Sequence, residues 1–193
     1  MKRSTKASLA TNRLARGGMI AALYVALTYV AMAFGLSSGV IQFRISEALC
    51  VLPIFLPEAI PGLAVGCFAA NLLTGCAPWD ILFGTVATLI GAVGAYLIGK
   101  KLPPWVATIP TVLANAIIVP FILMYVYEAE GTYLFFMATV GLGEIVCATG
   151  LGALLAGALN KSKVFGELFA QPTTKALPDE KPKNDDFDTN CKQ

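Results

Sequence analysis

Long apolar stretches separated by short clusters of charge, proline and glycine dominate this chain, a pattern of helices that are hydrophobic around most of their circumference. From Gly17 to Ile41 there is no charged residue. About 20 apolar residues cross a hydrocarbon core of roughly 30 Å, so the stretch predicts a first membrane helix at Gly17 to Leu36. A short second segment runs from about Ile45 to Leu56 and ends at the turn Pro57-Glu58-Ala59-Ile60-Pro61-Gly62. The third spans Ala59 to Cys76, and the fourth Trp79 to Gly99, with Asp80 in its first turn and Lys100-Lys101-Leu102-Pro103-Pro104 stopping it. The fifth covers Trp105 to Tyr127, where Pro110 and Pro120 predict kinks, and the sixth Tyr133 to Leu159. The pattern predicts an all-α membrane protein, a bundle of six transmembrane helices.

Charge adds a direction. Lys2, Arg3, Lys6, Arg13 and Arg16 precede the first segment, Lys100 and Lys101 follow the fourth, and Lys161 and Lys163 follow the sixth. The other side receives Arg44 and the acidic turn Glu128-Ala129-Glu130. The positive-inside rule then makes both termini cytoplasmic, in a multi-pass protein of a prokaryotic plasma membrane. The basic start resembles a signal-peptide n-region, but the apolar stretch after it is too long and lacks a persuasive cleavage site, so it reads as a retained helix. Residues 1–16 form a basic cytoplasmic segment, 17–160 the membrane domain and 161–193 a polar tail. The tail holds six of the fourteen basic and six of the twelve acidic residues and little to bury, which predicts disorder.

Composition removes several chemistries. At 56% hydrophobic and 13% charged residues, the chain has too few charges to solvate a water-soluble surface. It has no histidine, which excludes histidine-based acid–base and nucleophilic catalysis and imidazole metal sites. No metal and no cofactor is expected. The five cysteines (Cys50, Cys67, Cys76, Cys147, Cys191) show no CxxC spacing and read as small buried hydrophobes. Gly94 to Lys100 matches the GxxxxGK part of a P-loop, but Lys101 follows where Ser or Thr is needed and the glycines lie in a membrane helix. The chain has no ATPase of its own on this reading, and a nucleic acid is not an expected partner.

Small residues recur at four-residue spacing, as close helix packing in lipid requires: Gly18, Ala22 and Ala26; Gly62, Gly66, Ala70 and Thr74; Gly91, Ala95 and Gly99; Ala148, Gly152 and Ala156. The first of these stripes is the best candidate for a face that docks a partner subunit.

Polar side chains inside a bilayer are costly, roughly 2.5 to 3.5 kcal/mol for a charge at a helix centre, so each is a candidate site residue. Arg44, Glu47, Asn71, Trp79 and Asp80 fall near the outer side, with Asn115 and Glu144 deeper. Together they predict an outward-facing polar pocket. A carboxylate can accept two N–H bonds and a carboxamide can pair with a ring edge, which suits a nitrogen heterocycle, with Trp79, Phe83 or Tyr133 available to stack on it. Structural readings stand beside these. Arg44 and Glu47 can form an i, i+3 ion pair, Asp80 can serve the helix terminus, and Asn71 and Asn115 can bond between helices. Glu58, in the opposite turn, reads as solvated or facing a partner.

The run Ile41-Gln-Phe-Arg-Ile-Ser-Glu-Ala-Leu-Cys-Val-Leu-Pro53, with Ile60-Pro-Gly-Leu-Ala-Val-Gly-Cys-Phe-Ala-Ala-Asn71 and Trp79-Asp-Ile-Leu-Phe-Gly-Thr-Val-Ala-Thr88, resembles the QueT family of queuosine-precursor transporters over about residues 16–160. These are substrate-binding (S) components of energy-coupling factor (ECF) transporters. The resemblance implies a six-helix S component that takes a 7-deazaguanine base from outside. Import would need a T component and two ABC ATPases, with Ala22 and Ala26 matching the AxxxA pattern that meets the T component. On residue chemistry, Glu144 and Glu47 would bind ring N–H and amine groups, Asp80 a cationic aminomethyl group, and Asn71 and Asn115 the ring edge. The alternatives are an S component for another small vitamin-like substrate, or a stand-alone secondary carrier. An enzyme is a distant third.

Overall fold

The computed structural model describes residues 2–36 and 42–161, with side chains from Leu9 onward, so the expectation for the tail falls outside the described residues, apart from Lys161. Those residues form helix α1 (Lys2–Ala33), a 3-10 helix (Ile45–Ile54), α2 (Ala59–Leu73), α3 (Pro78–Ile98), α4 (Pro104–Ala107), α5 (Ile109–Tyr125), α6 (Tyr133–Glu144), a π-helical stretch (Ile145–Leu151) and α7 (Gly152–Lys161). Four stretches are long and apolar enough to cross a membrane: Leu9–Ala33, Pro78–Ile98, Pro104–Tyr125 and Tyr133–Lys161. The 3-10 helix and α2 are shorter apolar helices. The protein is a multi-pass protein of the cell membrane.

Three boundaries differ from the sequence expectation. Helix α1 begins at Lys2 rather than Gly17, because Ala, Leu, Lys and Arg are strong helix formers whether or not they are apolar. The fifth segment breaks after α4, so that Pro110 falls in the first turn of α5 and only Pro120 is interior. The sixth segment stays continuous but widens into π geometry directly after Glu144.

Packing is inverted relative to a water-soluble bundle. On α3 the buried residues are Gly84, Ala87, Thr88, Gly91, Ala92 and Ala95, while Leu82, Phe83, Val86, Leu89, Ile90, Val93 and Leu97 are exposed. Lipid solvates large apolar side chains, so the inner face is left to small residues that let backbones approach. A Cβ on Gly62 would stand 2.7 Å from the Gly17 carbonyl oxygen, and one on Gly66 only 2.8 Å from the Tyr24 Cβ. Helices α1 and α2 therefore run parallel in close contact, α2 packs on α3, α3 on α5, and α5 on α6. The 3-10 helix threads through the middle, touching α1, α3, α7 and the π-helical stretch. Its rise of about 2.0 Å per residue carries ten residues across about 20 Å, farther than the roughly 15 Å of an α-helix.

The two ends of the bundle differ in charge. Arg13, Arg16, Lys100, Lys101 and Lys161 lie toward the end that holds the start of α1 and the ends of α3 and α7. There Arg16 Nη1 reaches Glu58 Oε1 at 3.2 Å. Glu58, expected to be solvated or to face a partner, is 8% exposed and neutralised within the chain.

Candidate functional site

At the opposite end, the ends of α1, α2 and α5 and the starts of α3 and the 3-10 helix surround a cavity of about 280 Å³. At about 30 Å³ per liquid water, it holds on the order of nine water-sized units, the scale of a small ring compound. Its polar wall is Thr28, Gln42, Arg44, Ser46, Asn71, Thr74, Cys76, Asp80 and Tyr127, and its apolar wall Ala31, Met32, Val119, Ile122 and Leu123.

Three of the seven expected ligand-binding residues, Arg44, Asn71 and Asp80, line this cavity. Arg44 Nη2 donates to Asn71 Oδ1 at 2.9 Å, so in place of the alternative i, i+3 ion pair with Glu47 it makes a bond to α2. A guanidinium can only donate, which fixes the Asn71 carbonyl toward Arg44 and its NH2 away. That NH2 makes a long contact with Cys67 Sγ at 3.7 Å. Asp80, in the first turn of α3, accepts from the Tyr127 hydroxyl on Oδ2 at 2.9 Å, and the Tyr127 oxygen in turn accepts the Ala77 backbone N–H at 3.1 Å. Partial burial, then the Asp80 carboxylate, holds the Tyr127 phenol above its ordinary pKa, so it remains a donor.

The other carboxylates lie behind the cavity. Glu47 is fully buried, with Oε1 taking the Tyr24 hydroxyl and Oε2 the Cys50 thiol at 3.0 Å. Glu144 and Asn115 are buried in α6 and α5, and Glu144 Oε2 and Asn115 Nδ2 have no hydrogen-bond partner among the described residues. Glu47, Asn115 and Glu144 are buried and none of them borders the cavity. Trp79 is 59% exposed, stacks on Phe83 at 6.0 Å and lines a separate apolar groove with Phe121 and Tyr125. Tyr133 is tied to the Ile117 carbonyl and packs on Phe121. None of the three aromatic residues expected to stack on a ligand borders the polar cavity.

Sequence reasoning missed Tyr24, Thr28, Ser46, Cys76 and Tyr127. Tyr24 and Thr28 share one face of α1, and Thr28 Oγ1 hydrogen-bonds Ser46 at 3.0 Å. The repeat Gly17, Ala21, Tyr24, Thr28 marks that inner face and was the available signal, whereas the stripe Gly18, Ala22, Ala26 lies on the exposed face. Cys76, expected to be buried, is partly exposed and borders the cavity, because the turn after α2 lifts it out of the apolar run. Tyr127 follows the end of α5 with no pattern around it that could reveal its bond to Asp80.

The profile of the QueT transporter family matches residues 14–161. The queuosine precursor transporter QueT of Lactococcus lactis subsp. cremoris (strain MG1363) is 37% identical over 73 residues, a stretch covering 37% of this chain and 42% of that protein. No solved structure matches the chain.

Proposed function

This chain belongs to the QueT transporter family, and from that premise we propose that it is the substrate-binding component of an ECF-type importer, capturing a 7-deazaguanine precursor of queuosine from outside the cell. The observation that carries the reading is the cavity bordered by Arg44, Asn71 and Asp80 at the end of the bundle away from Arg13, Arg16, Lys100, Lys101 and Lys161. The positive-inside rule makes that end the outer one. A carboxylate, a guanidinium and a carboxamide around a space for a small ring suit a base with several N–H donors and a carbonyl.

Within this reading Arg44, Asn71 and Asp80 touch the ligand, Glu144 and Asn115 back them as the deeper polar layer, and Glu47 fixes the 3-10 helix that Arg44 precedes. Ala22 and Ala26, both exposed on α1, are the face for the T component. Energy would come from two ABC ATPases, consistent with the incomplete P-loop.

The test is mass spectrometry of ligand co-purifying with the protein, together with thermal shift against 7-deazaguanine bases. A 7-deazaguanine base in the pure protein, protection of Cys76 from a thiol reagent by that base, and no sustained uptake by the chain alone in proteoliposomes are the expected results. Sustained uptake by the chain alone would instead make it a secondary carrier, and a different bound vitamin would reassign the substrate.

A further inference from the structure

The interior of the bundle between α5 and α6 holds three side-chain atoms with nothing in the chain to bond. Thr111 Oγ1, Asn115 Nδ2 and Glu144 Oε2 are buried and have no hydrogen-bond partner among the described residues. Their side chains are 0%, 1% and 4% exposed, and none borders the outer cavity. Buried polar groups in folded proteins are almost always satisfied, and inside a bilayer no bulk solvent is at hand to do it.

Helix geometry brings the three to one level. Thr111 and Asn115 lie four residues apart on α5, on one face and about 6 Å apart in rise. Two contacts set the register of the returning chain against them. A Cβ on Gly141 would stand 3.7 Å from the Ala116 Cβ, and farther in, Thr149 Oγ1 meets Thr108 Oγ1 at 3.0 Å. Between these anchors, Glu144 falls about 4.5 Å beyond Gly141 and so comes level with the stretch between Thr111 and Asn115. The π-helical stretch starts at the next residue. Gly91 of α3 leaves room beside the group, because a Cβ there would stand 2.5 Å from Thr111 Oγ1.

The donor set decides what fits. Asn115 Nδ2 can only donate and needs an acceptor, whereas an ionised Glu144 Oε2 can only accept and needs a donor. A cation would suit Glu144 but face the Asn115 NH2, and an anion would face Glu144. Water offers donors and acceptors together, and it serves Glu144 whether that group is ionised or neutral. It takes only about 30 Å³ and needs two to four polar partners, whereas side chains this enclosed leave no space for a ring.

We propose that one or two water molecules are bound inside the membrane between α5, α6 and α3, joining Asn115 to Glu144 and reaching Thr111. This water is a resident ligand of the fold, separate from the outer cavity, and it does not depend on the binding role argued above. It solvates a carboxyl group deep in the bundle without a second charged side chain.

The full-length protein in lipid bilayers, isotopically labelled at asparagine, tests this by water-edited solid-state NMR, with Asn71 at the outer cavity as the reference. Magnetisation from water should reach the Asn115 side-chain amide, and should still reach it when a 7-deazaguanine base is added. Thr111→Val, which removes the hydroxyl and keeps the shape, should lower the melting temperature in detergent by about 2–4 °C, because the water loses a partner. A dry hydroxyl predicts the opposite sign, since its removal relieves an unpaired buried group. No transfer to Asn115, or a melting temperature that Thr111→Val does not lower, overturns the proposal. Transfer that disappears when the base is added also overturns it, by making the place part of the ligand site. Stabilisation by sodium chloride over choline chloride at equal concentration would put a cation there instead. If Thr111→Val fails to fold, the transfer measured on the unaltered protein decides.

Discussion

Glu47 and Asp80 are carboxylates in the same half of the bundle, and each takes a tyrosine hydroxyl, yet their situations are opposite. Glu47 is fully buried with a donor on each oxygen, Tyr24 on one and Cys50 on the other. Asp80 has Tyr127 on one oxygen and borders a cavity with the other available. The first ties α1 to the 3-10 helix and has little left with which to bind a ligand, while the second is restrained and still has an acceptor to offer. On the proposed reading, depth in the membrane does not separate a structural acid from a binding one. The unfilled hydrogen-bonding capacity facing an open space does.

The strongest way to break this comparison is at Glu47. Glu47→Ala leaves two buried donors unpaired, at about 1–3 kcal/mol each, so the melting temperature in detergent should fall sharply. Unchanged stability there would show that the Tyr24–Glu47–Cys50 cluster is not a structural tie. Next in size, Asp80→Asn should weaken binding of 7-aminomethyl-7-deazaguanine by about tenfold to a hundredfold with almost no change in melting temperature. If stability falls instead and affinity does not, the two acids have been assigned the wrong way round. Gly66→Ala comes third, because its Cβ would stand 2.8 Å from the Tyr24 Cβ and 3.0 Å from the Ala21 Cα. Overpacking of that kind costs typically about 1–3 kcal/mol and should shift α1, and Tyr24 with it, read as a lowered melting temperature. Smallest on the isolated chain is Ala22→Leu, on the exposed face of α1, where no measurable loss of stability or ligand affinity is expected. If the proposed T component docks there, its co-purification should nevertheless fail, and retention of that complex would remove Ala22 from the interface.

Much of this was legible from residue order. The apolar runs fixed α3, the α4–α5 span and the α6–α7 span to within a few residues, because membrane length and proline punctuation are local properties. The stripe Gly62, Gly66, Ala70 packs as its spacing implies. Arg44, Asn71 and Asp80 could be picked out because charge and carboxamide are rare in such a chain. What could not be read was which polar groups satisfy one another: Glu58 finds Arg16 forty-two residues away, and Asp80 finds Tyr127 forty-seven residues away. Trp79 shows the same gap from the other side, since neighbouring residues on one helix turn can face a polar cavity and a lipid-facing groove.

The sequence by itself determined that this is a helical membrane protein with most of its basic residues gathered at one end, few polar groups inside and no histidine chemistry, because hydrophobicity, length and charge need no partner to be read. Only the tertiary structure decided which of two similar acids is spent on holding the fold and which is left facing a cavity. That decision belongs to hydrogen-bond geometry between segments far apart in the chain, and a hydrogen bond exists only where the packed helices bring a donor and an acceptor within about 3 Å of each other.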